Sequence, residues 1–146
     1  MKLEEFKNIT IAYMRRVGAY GSKNKLLMED FKHFLADKHL LDEKSVIFGI
    51  ALDDPSSVPE AQLRYDVGLV INEGQSIDLS TRQIDDGTYA VFEIPHTEEG
   101  VLSFWQNFHT LAAGLPVDRQ KPIMERYAAE KLSRHLCEFC IPLRQE

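Results

Sequence analysis

The feature that most constrains the fold of this chain is an order of elements that occurs twice: one strand, one helix and two further strands. The predicted strands share an enrichment in β-branched and aromatic residues and end at turn-forming residues. They are Ile9–Val17, Ser45–Leu52 and Arg64–Ile71 in the first half, and Tyr89–Ile94, Ile123–Tyr127 and Leu136–Pro142 in the second. The simplest fold with this order is a duplicated β-α-β-β unit of the α+β class, with both helices on one face of a mostly antiparallel sheet.

A stripe of apolar residues at helical spacing predicts each helix. The first stripe predicts a helix from about Lys25 to Lys38, and it consists of Leu27, Phe31, Phe34 and Leu35. The second stripe predicts a helix that stops at Gly114 and Pro116, and it consists of Val101, Phe104, Trp105, Phe108, Leu111 and Ala112. We interpret the phenylalanines of both stripes as core residues.

The two halves also agree in detail. Gly18-Ala19-Tyr20 precedes the first helix, and Gly87-Thr88-Tyr89 lies at the comparable place before the second. No linker or low-complexity segment separates the halves, and 146 residues with 44% apolar content suit one compact domain. We therefore expect residues 1–146 to form a single domain with pseudo-repeats at about 8–72 and 84–143.

The charge balance restricts the kinds of partner that the chain is expected to bind. The chain has 17 lysines and arginines against 23 aspartates and glutamates, a net charge of −6. Because nucleic-acid binding depends on Lys and Arg at phosphates, this balance argues against a direct nucleic-acid partner. No apolar stretch approaches the roughly 18–20 residues that cross a bilayer, and the charged start, Met1 to Lys7, is not typical of a signal peptide. We expect a cytoplasmic protein with no membrane contact.

Motifs that would indicate a cofactor, a metal or a catalytic triad are missing from the sequence. Cys137 and Cys140 are three residues apart in a predicted strand, so they point to opposite faces and are interpreted as buried structural thiols. No two of the five histidines have the i, i+4 spacing of a helical metal site, and Gly-rich phosphate or dinucleotide motifs do not occur. The sequence predicts neither a cofactor nor a metal.

Two glutamates in the last two strands are more informative. Glu125 and Glu138 each share a strand face with apolar side chains. A carboxylate in such a place is costly to bury without a partner. Three alternatives remain open for each: the carboxylate reaches solvent, it pairs with an arginine such as Arg126 or Arg64, or it lines a cavity.

The chain also has aromatic side chains that are candidates for the walls of such a cavity: Tyr20, Tyr65, Tyr89, Trp105 and Tyr127. Aromatic walls with one or two carboxylates suit a lipophilic cation, because ring faces attract positive charge and a desolvated carboxylate needs a counter-charge. The alternative is that most of these rings belong to the core.

Five short motifs follow one another along the chain: AYMRRVGAYG at 12–21, DDP at 53–55 with LRYD at 63–66, GTYAV at 87–91, PIMERY at 122–127 and EFCIP at 138–142. Together with Trp105 in the second helix, they resemble the GyrI-like small-molecule-binding domain. This is the family of the DNA gyrase inhibitory protein SbmC and of the effector-binding domains of some AraC-type and MerR-type regulators.

The resemblance implies two β-α-β-β units around a pseudo-two-fold axis, with a central cleft that binds lipophilic, often cationic, small molecules. In that family aromatic side chains line the cleft and the closing strands supply an acidic residue, which corresponds to Glu125 or Glu138 here. The expected ligand-binding residues are Glu125, Glu138, Tyr20, Tyr65, Tyr89, Trp105 and Tyr127.

Three functions are compatible with this resemblance. The first is a binder of lipophilic cations that protects DNA gyrase or the cell from toxins, and it is expected to stand alone because no helix-turn-helix fits before Ile9 or after Pro142. The second is a DNA gyrase inhibitor that acts by protein–protein contact. The third is a hydrolase of small electrophilic compounds, in which a glutamate with a raised pKa is the general base for water.

Overall fold

Eight strands form one antiparallel sheet in the computed structural model, which describes residues 1–145. The strands are β1 (Lys2–Phe6), β2 (Thr10–Val17), β3 (Val46–Ala51), β4 (Arg64–Ile71), β5 (Ser80–Gln83), β6 (Gly87–Pro95), β7 (Met124–Ala128) and β8 (Leu136–Pro142). Their order across the sheet is β1-β6-β8-β7-β3-β4-β2-β5. The six predicted strands are confirmed to within two residues at each end, whereas the sequence analysis did not predict β1 and β5.

The strand order repeats on either side of the central pair, β3 and β7. One side runs β3-β4-β2 and the other runs β7-β8-β6, with β5 and β1 at the two outer edges. In the central pair, Gly49 of β3 lies opposite Glu125 of β7. The middle of the sheet is therefore the place where strands from the first and second halves of the chain meet.

The helices are α1 (Ser22–Asp37), α2 (Glu98–Gln106) and two short helices, α3 (Phe108–Leu111) and α4 (Ala129–Leu132); a 3-10 turn occupies Glu60–Gln62. The prediction of α1 is confirmed. The prediction of one continuous second helix is wrong, because Asn107 separates α2 from α3. Its side-chain Nδ2 donates a 2.8 Å hydrogen bond to the Ser103 carbonyl, and such local side-chain bonds compete with the regular helix.

Both long helices pack on one face of the sheet, but over different halves. Phe31 and Leu35 of α1 pack with Tyr65 of β4. Phe104 of α2 stacks on Phe139 of β8 with ring centroids 4.1 Å apart. These two separate cores leave a space between α1 and α2, above the central strand pair.

The sheet curls, and its face away from the two long helices, which we call the curled face, encloses a core of its own. Phe6 of β1, Ile11 of β2 and Phe48 of β3 belong to this cluster.

Cys137 and Cys140 are free and buried, which confirms their interpretation as buried thiols. Among residues 1–145 no helix combines the length and the apolar character needed to cross a membrane.

Candidate functional site

A cleft of about 710 Å³ lies between α1 and α2. Its floor comes from Tyr65, Glu125 and Tyr127 of the sheet. Its walls comprise Gly21, Asn24, Lys25, Met28, Glu29 and Lys32 on the α1 side, and His96, Thr97, Glu98, Val101, Leu102 and Trp105 on the α2 side. Leu102 and Trp105 are 57% and 46% exposed, so the rim on the α2 side presents apolar surface to solvent.

Strand alternation and one glycine place Glu125 at the floor. Glu125 and Tyr127 are two residues apart in β7 and point to the helix face. The residue opposite Glu125 is Gly49, and a Cβ added there would lie 2.5 Å from the Tyr65 hydroxyl oxygen. Because Gly49 has no side chain, the Tyr65 hydroxyl fits over the central strand pair beside Glu125.

The carboxylate of Glu125 has a phenol as its polar partner. The Tyr127 hydroxyl donates a hydrogen bond to Glu125 Oε2. Burial raises the pKa of Glu125, and the hydrogen bond from Tyr127 opposes that rise without cancelling it. Burial also raises the pKa of both Tyr65 and Tyr127, so both phenols keep their protons at neutral pH.

Among residues 1–145, two carboxylates are more fully removed from solvent than Glu125, and arginines pair with both. Asp66 accepts two hydrogen bonds each from Arg15 and Arg82, at 2.6 to 3.1 Å. Glu138 accepts two from Arg126, at 2.9 and 3.1 Å. Glu125, by contrast, forms no salt bridge with any residue in the described part of the chain.

Two nitrogen-bearing side chains lie against the ring of Tyr127. The Lys32 ammonium is 5.8 Å from the ring centroid, and the His96 ring is 5.5 Å from it. Burial, and secondly the charge of Lys32, lower the pKa of His96, which keeps the imidazole neutral at pH 7. The floor of the cleft therefore combines one carboxylate and two phenols, and the wall beside it adds a neutral imidazole and the Lys32 ammonium.

Other cavities within residues 1–145 have a different lining; one of about 290 Å³ includes Glu138, whose carboxylate is already paired with Arg126. A cavity of about 770 Å³ lies between α3 and the C-terminal residues Arg144 and Gln145, and it contains none of the predicted site residues. Within residues 1–145 no three His, Cys, Asp or Glu side chains are placed to hold a metal ion.

The comparison with protein families matches the model of the GyrI-like small molecule binding domain to residues 1–144. The chain belongs to the GyrI-like family. One relative of full length is YosT of Bacillus subtilis (strain 168), a protein derived from prophage SPβ and named as a candidate transcriptional regulator. It is 42% identical over 146 residues, which cover 97% of each chain.

Two solved structures share the GyrI-like fold at low sequence identity. SAV2435, solved with tetraphenylphosphonium bound, has a TM-score of 0.65 and 13% identity, with 98% of this chain and 93% of that chain covered. An integron cassette protein from the mobile metagenome of Vibrio cholerae has a TM-score of 0.59 and 17% identity, with 98% and 95% covered.

Four of the predicted site residues come together in the cleft of this GyrI-like domain: Tyr65, Trp105, Glu125 and Tyr127. Tyr20 lies just behind them. Its ring meets Tyr65 edge to face at 6.4 Å, and its hydroxyl donates a 2.7 Å hydrogen bond to the Arg64 carbonyl. Tyr20 therefore packs against Tyr65 of the floor and does not line the cleft.

Glu138 and Tyr89 lie outside the cleft. Glu138 is opposite Arg126, on the sheet face away from the two long helices. Tyr89 is on the same face, stacks on Phe6 at 4.2 Å and donates a hydrogen bond to the Asp85 carbonyl. In this structure both residues belong to the core and the ion-pair network of the curled face.

The sequence analysis missed the polar residues that α1 and the start of α2 contribute. Lys25, Glu29 and Lys32 lie at i, i+4 and i+7, and this period is the signal that places them on one helix face. Nothing in the sequence indicates that this face borders a cleft, because that depends on where α2 packs.

Proposed function

We propose that this GyrI-like domain binds lipophilic cations in the cleft between α1 and α2, with Glu125 as the counter-charge. The observation that carries the proposal is the contrast among the carboxylates: Asp66 and Glu138 are paired with arginines, and Glu125 is not. The solved structure of SAV2435 with tetraphenylphosphonium, a lipophilic cation, supports the same class of ligand.

The energetics favour a cation whose charge is spread over apolar groups. Two opposite charges about 5 Å apart gain roughly 3 kcal/mol at an effective dielectric constant near 20. Each ring face that meets the cation adds about 0.5–2 kcal/mol. A compact ammonium ion would lose strong hydration on entering the cleft, whereas a lipophilic cation loses little and buries its apolar surface against Trp105, Tyr65 and Tyr127.

The test uses three probes of similar shape and different charge: tetraphenylphosphonium, neutral triphenylphosphine oxide and the anion tetraphenylborate. Thermal unfolding is followed for the wild type, Glu125→Gln and the matched control Glu138→Gln. A ligand at about 100 times its dissociation constant stabilises the folded state by about 2.7 kcal/mol, which raises the unfolding midpoint of a domain of this size by several degrees.

We expect tetraphenylphosphonium to stabilise the wild type and Glu138→Gln but not Glu125→Gln. Tetraphenylborate should stabilise none of the three proteins. Equal stabilisation of the wild type and Glu125→Gln, or of the wild type by cation and anion alike, would contradict the proposal.

The raised pKa of Glu125 favours a second candidate function at the same site, hydrolysis of small electrophilic ring compounds. A general base works best with a pKa near the working pH, and Tyr127 orients the carboxylate by its hydrogen bond. Glu125 would take a proton from a water molecule as the water oxygen bonds to a ring carbon; the ring C–O bond would break, and the released alkoxide would take a proton from solvent to complete the diol. Styrene oxide should then yield its diol with the wild type and not with Glu125→Gln. If the wild type forms no diol above the uncatalysed rate, hydrolysis is contradicted and ligand binding remains as the proposed function.

A further inference from the structure

We propose that Lys32 limits the affinity of the cleft for cations, because its own ammonium group occupies the ring face of Tyr127. This inference rests on the proposed function, since it concerns how strongly the same cleft discriminates by charge. It makes Lys32 a specificity-determining residue that competes with the ligand.

The surroundings of the Lys32 ammonium support this role. Lys32 is half-buried, and its Nζ lies 5.8 Å from the centroid of the Tyr127 ring. In the part of the chain that the structure describes, Lys32 forms neither a salt bridge nor a side-chain hydrogen bond, although Glu29 lies one turn away on the same wall. The Lys32 ammonium is thus placed over the face of the Tyr127 ring.

Tyr127 is also the ring that a bound cation would use. Its hydroxyl donates to Glu125, so the ring stands directly beside the only carboxylate among the described residues at the floor. A cation on this face within about 6 Å of the centroid gains attraction from the ring. Lys32 already takes that position, and a ligand cation must either displace the ammonium or approach a like charge.

Displacement is possible because the four-carbon stem of lysine is flexible and the cleft opens to solvent. Displacement nevertheless costs the ring contact that Lys32 makes. The remaining repulsion from the ammonium then weakens the binding of a cation more than the binding of a neutral compound. The affinity of the wild-type cleft for neutral aromatic compounds should therefore be close to what its shape allows. Its affinity for cations should be lower than that of the same cleft with Glu125 present and Lys32 uncharged.

The experiment measures the affinity of tetraphenylphosphonium and of triphenylphosphine oxide by calorimetric titration at low salt. Lys32→Gln removes the charge and keeps most of the stem. Lys25→Gln is the matched control, because Lys25 lines the same wall and its loss changes the net charge equally without vacating the Tyr127 face. Lys32→Arg keeps a cation at position 32.

We expect Lys32→Gln to bind tetraphenylphosphonium roughly tenfold more tightly than the wild type. Lys25→Gln should change that affinity by no more than about threefold, the scale of an exposed charge. Lys32→Arg should resemble the wild type, and in every variant the affinity for triphenylphosphine oxide should change less than the affinity for tetraphenylphosphonium does.

Two results would overturn the inference while leaving the proposed function intact. If the wild type binds the cation and Lys32→Gln gains no more than Lys25→Gln, position 32 acts only through the overall charge. If Lys32→Gln binds the cation more weakly, Lys32 holds Tyr127 in place and does not compete. Failure of both the wild type and Lys32→Gln to bind the cation would contradict the proposed function itself.

Discussion

Burial of the Glu125 carboxylate makes the free energy of unfolding depend on pH. Because the folded-state pKa is raised, the native chain holds this proton more readily than the unfolded chain does. Stability from this group is therefore present at low pH and is lost as the pH rises from the ordinary glutamate pKa through the raised one. Glu125→Gln cannot ionise, so we expect its unfolding midpoint to exceed that of the wild type at about pH 8 and to converge with it near pH 4.

Thermal unfolding across that pH range checks this expectation, and Glu138→Gln provides the contrast. Glu138 is paired with Arg126, so its amide variant should be less stable than the wild type at about pH 8. A wild type that is more stable than Glu125→Gln at about pH 8 would show that burial of the ionised carboxylate does not destabilise the folded state.

The sequence predicted both glutamates as candidates and left their surroundings open, and the reason lies in the strand register. Each glutamate alternates with apolar residues, so the local pattern is the same. Register brings Glu138 opposite Arg126 and Glu125 opposite Gly49. Those pairings depend on strands that are distant in the chain, which is why the residue pattern alone could not separate an ion pair from a cleft carboxylate.

At the scale of elements, Arg126 connects three strands of the curled face. It lies in β7, pairs with Glu138 of β8 and reaches Glu4 of β1 with hydrogen bonds of 2.7 and 3.0 Å. Removing one partner of a buried pair leaves an uncompensated charge, which costs about 3–5 kcal/mol. We expect Arg126→Gln to lower the free energy of unfolding by about that amount and to increase amide exchange in β1, an edge strand paired only with β6 among the described strands.

Urea denaturation and hydrogen exchange measure the two effects of Arg126→Gln. The matched control is Arg134→Gln, which removes an arginine from an exposed pair with Glu130; exposed pairs contribute little. Similar losses of stability in the two variants, or unchanged exchange in β1, would count against the role of Arg126 as the link to the edge strand.

The strands that sequence analysis missed are the two edges of the sheet. The β1 sequence is KLEEF and the β5 sequence is STRQ, and both are short and mostly polar. Edge strands are commonly short and charged because that discourages pairing with other chains. They therefore lack the apolar pattern that predicted the six inner strands, and only their pairing with β6 and β2 defines them.

At the scale of the whole molecule, the central strand pair joins both halves of the chain. β3 of the first half pairs with β7 of the second, and the curled face places residues from both halves in one core. We therefore expect one cooperative unfolding transition, with calorimetric and van't Hoff enthalpies that agree. Two resolved transitions would show that the pseudo-repeats at about 8–72 and 84–143 are separate folding units.

The cleft takes its walls from both halves as well, so a ligand inside it should act on both. With tetraphenylphosphonium bound, we expect slower amide exchange in α1 (Ser22–Asp37) and in α2 (Glu98–Gln106) together, because the cation contacts both walls and removes their independent opening. Glu125→Gln at the same ligand concentration should show no such change. Protection confined to one helix would show that the cation contacts one wall only. The affinity for tetraphenylphosphonium would then not depend on contacts with both halves of the chain.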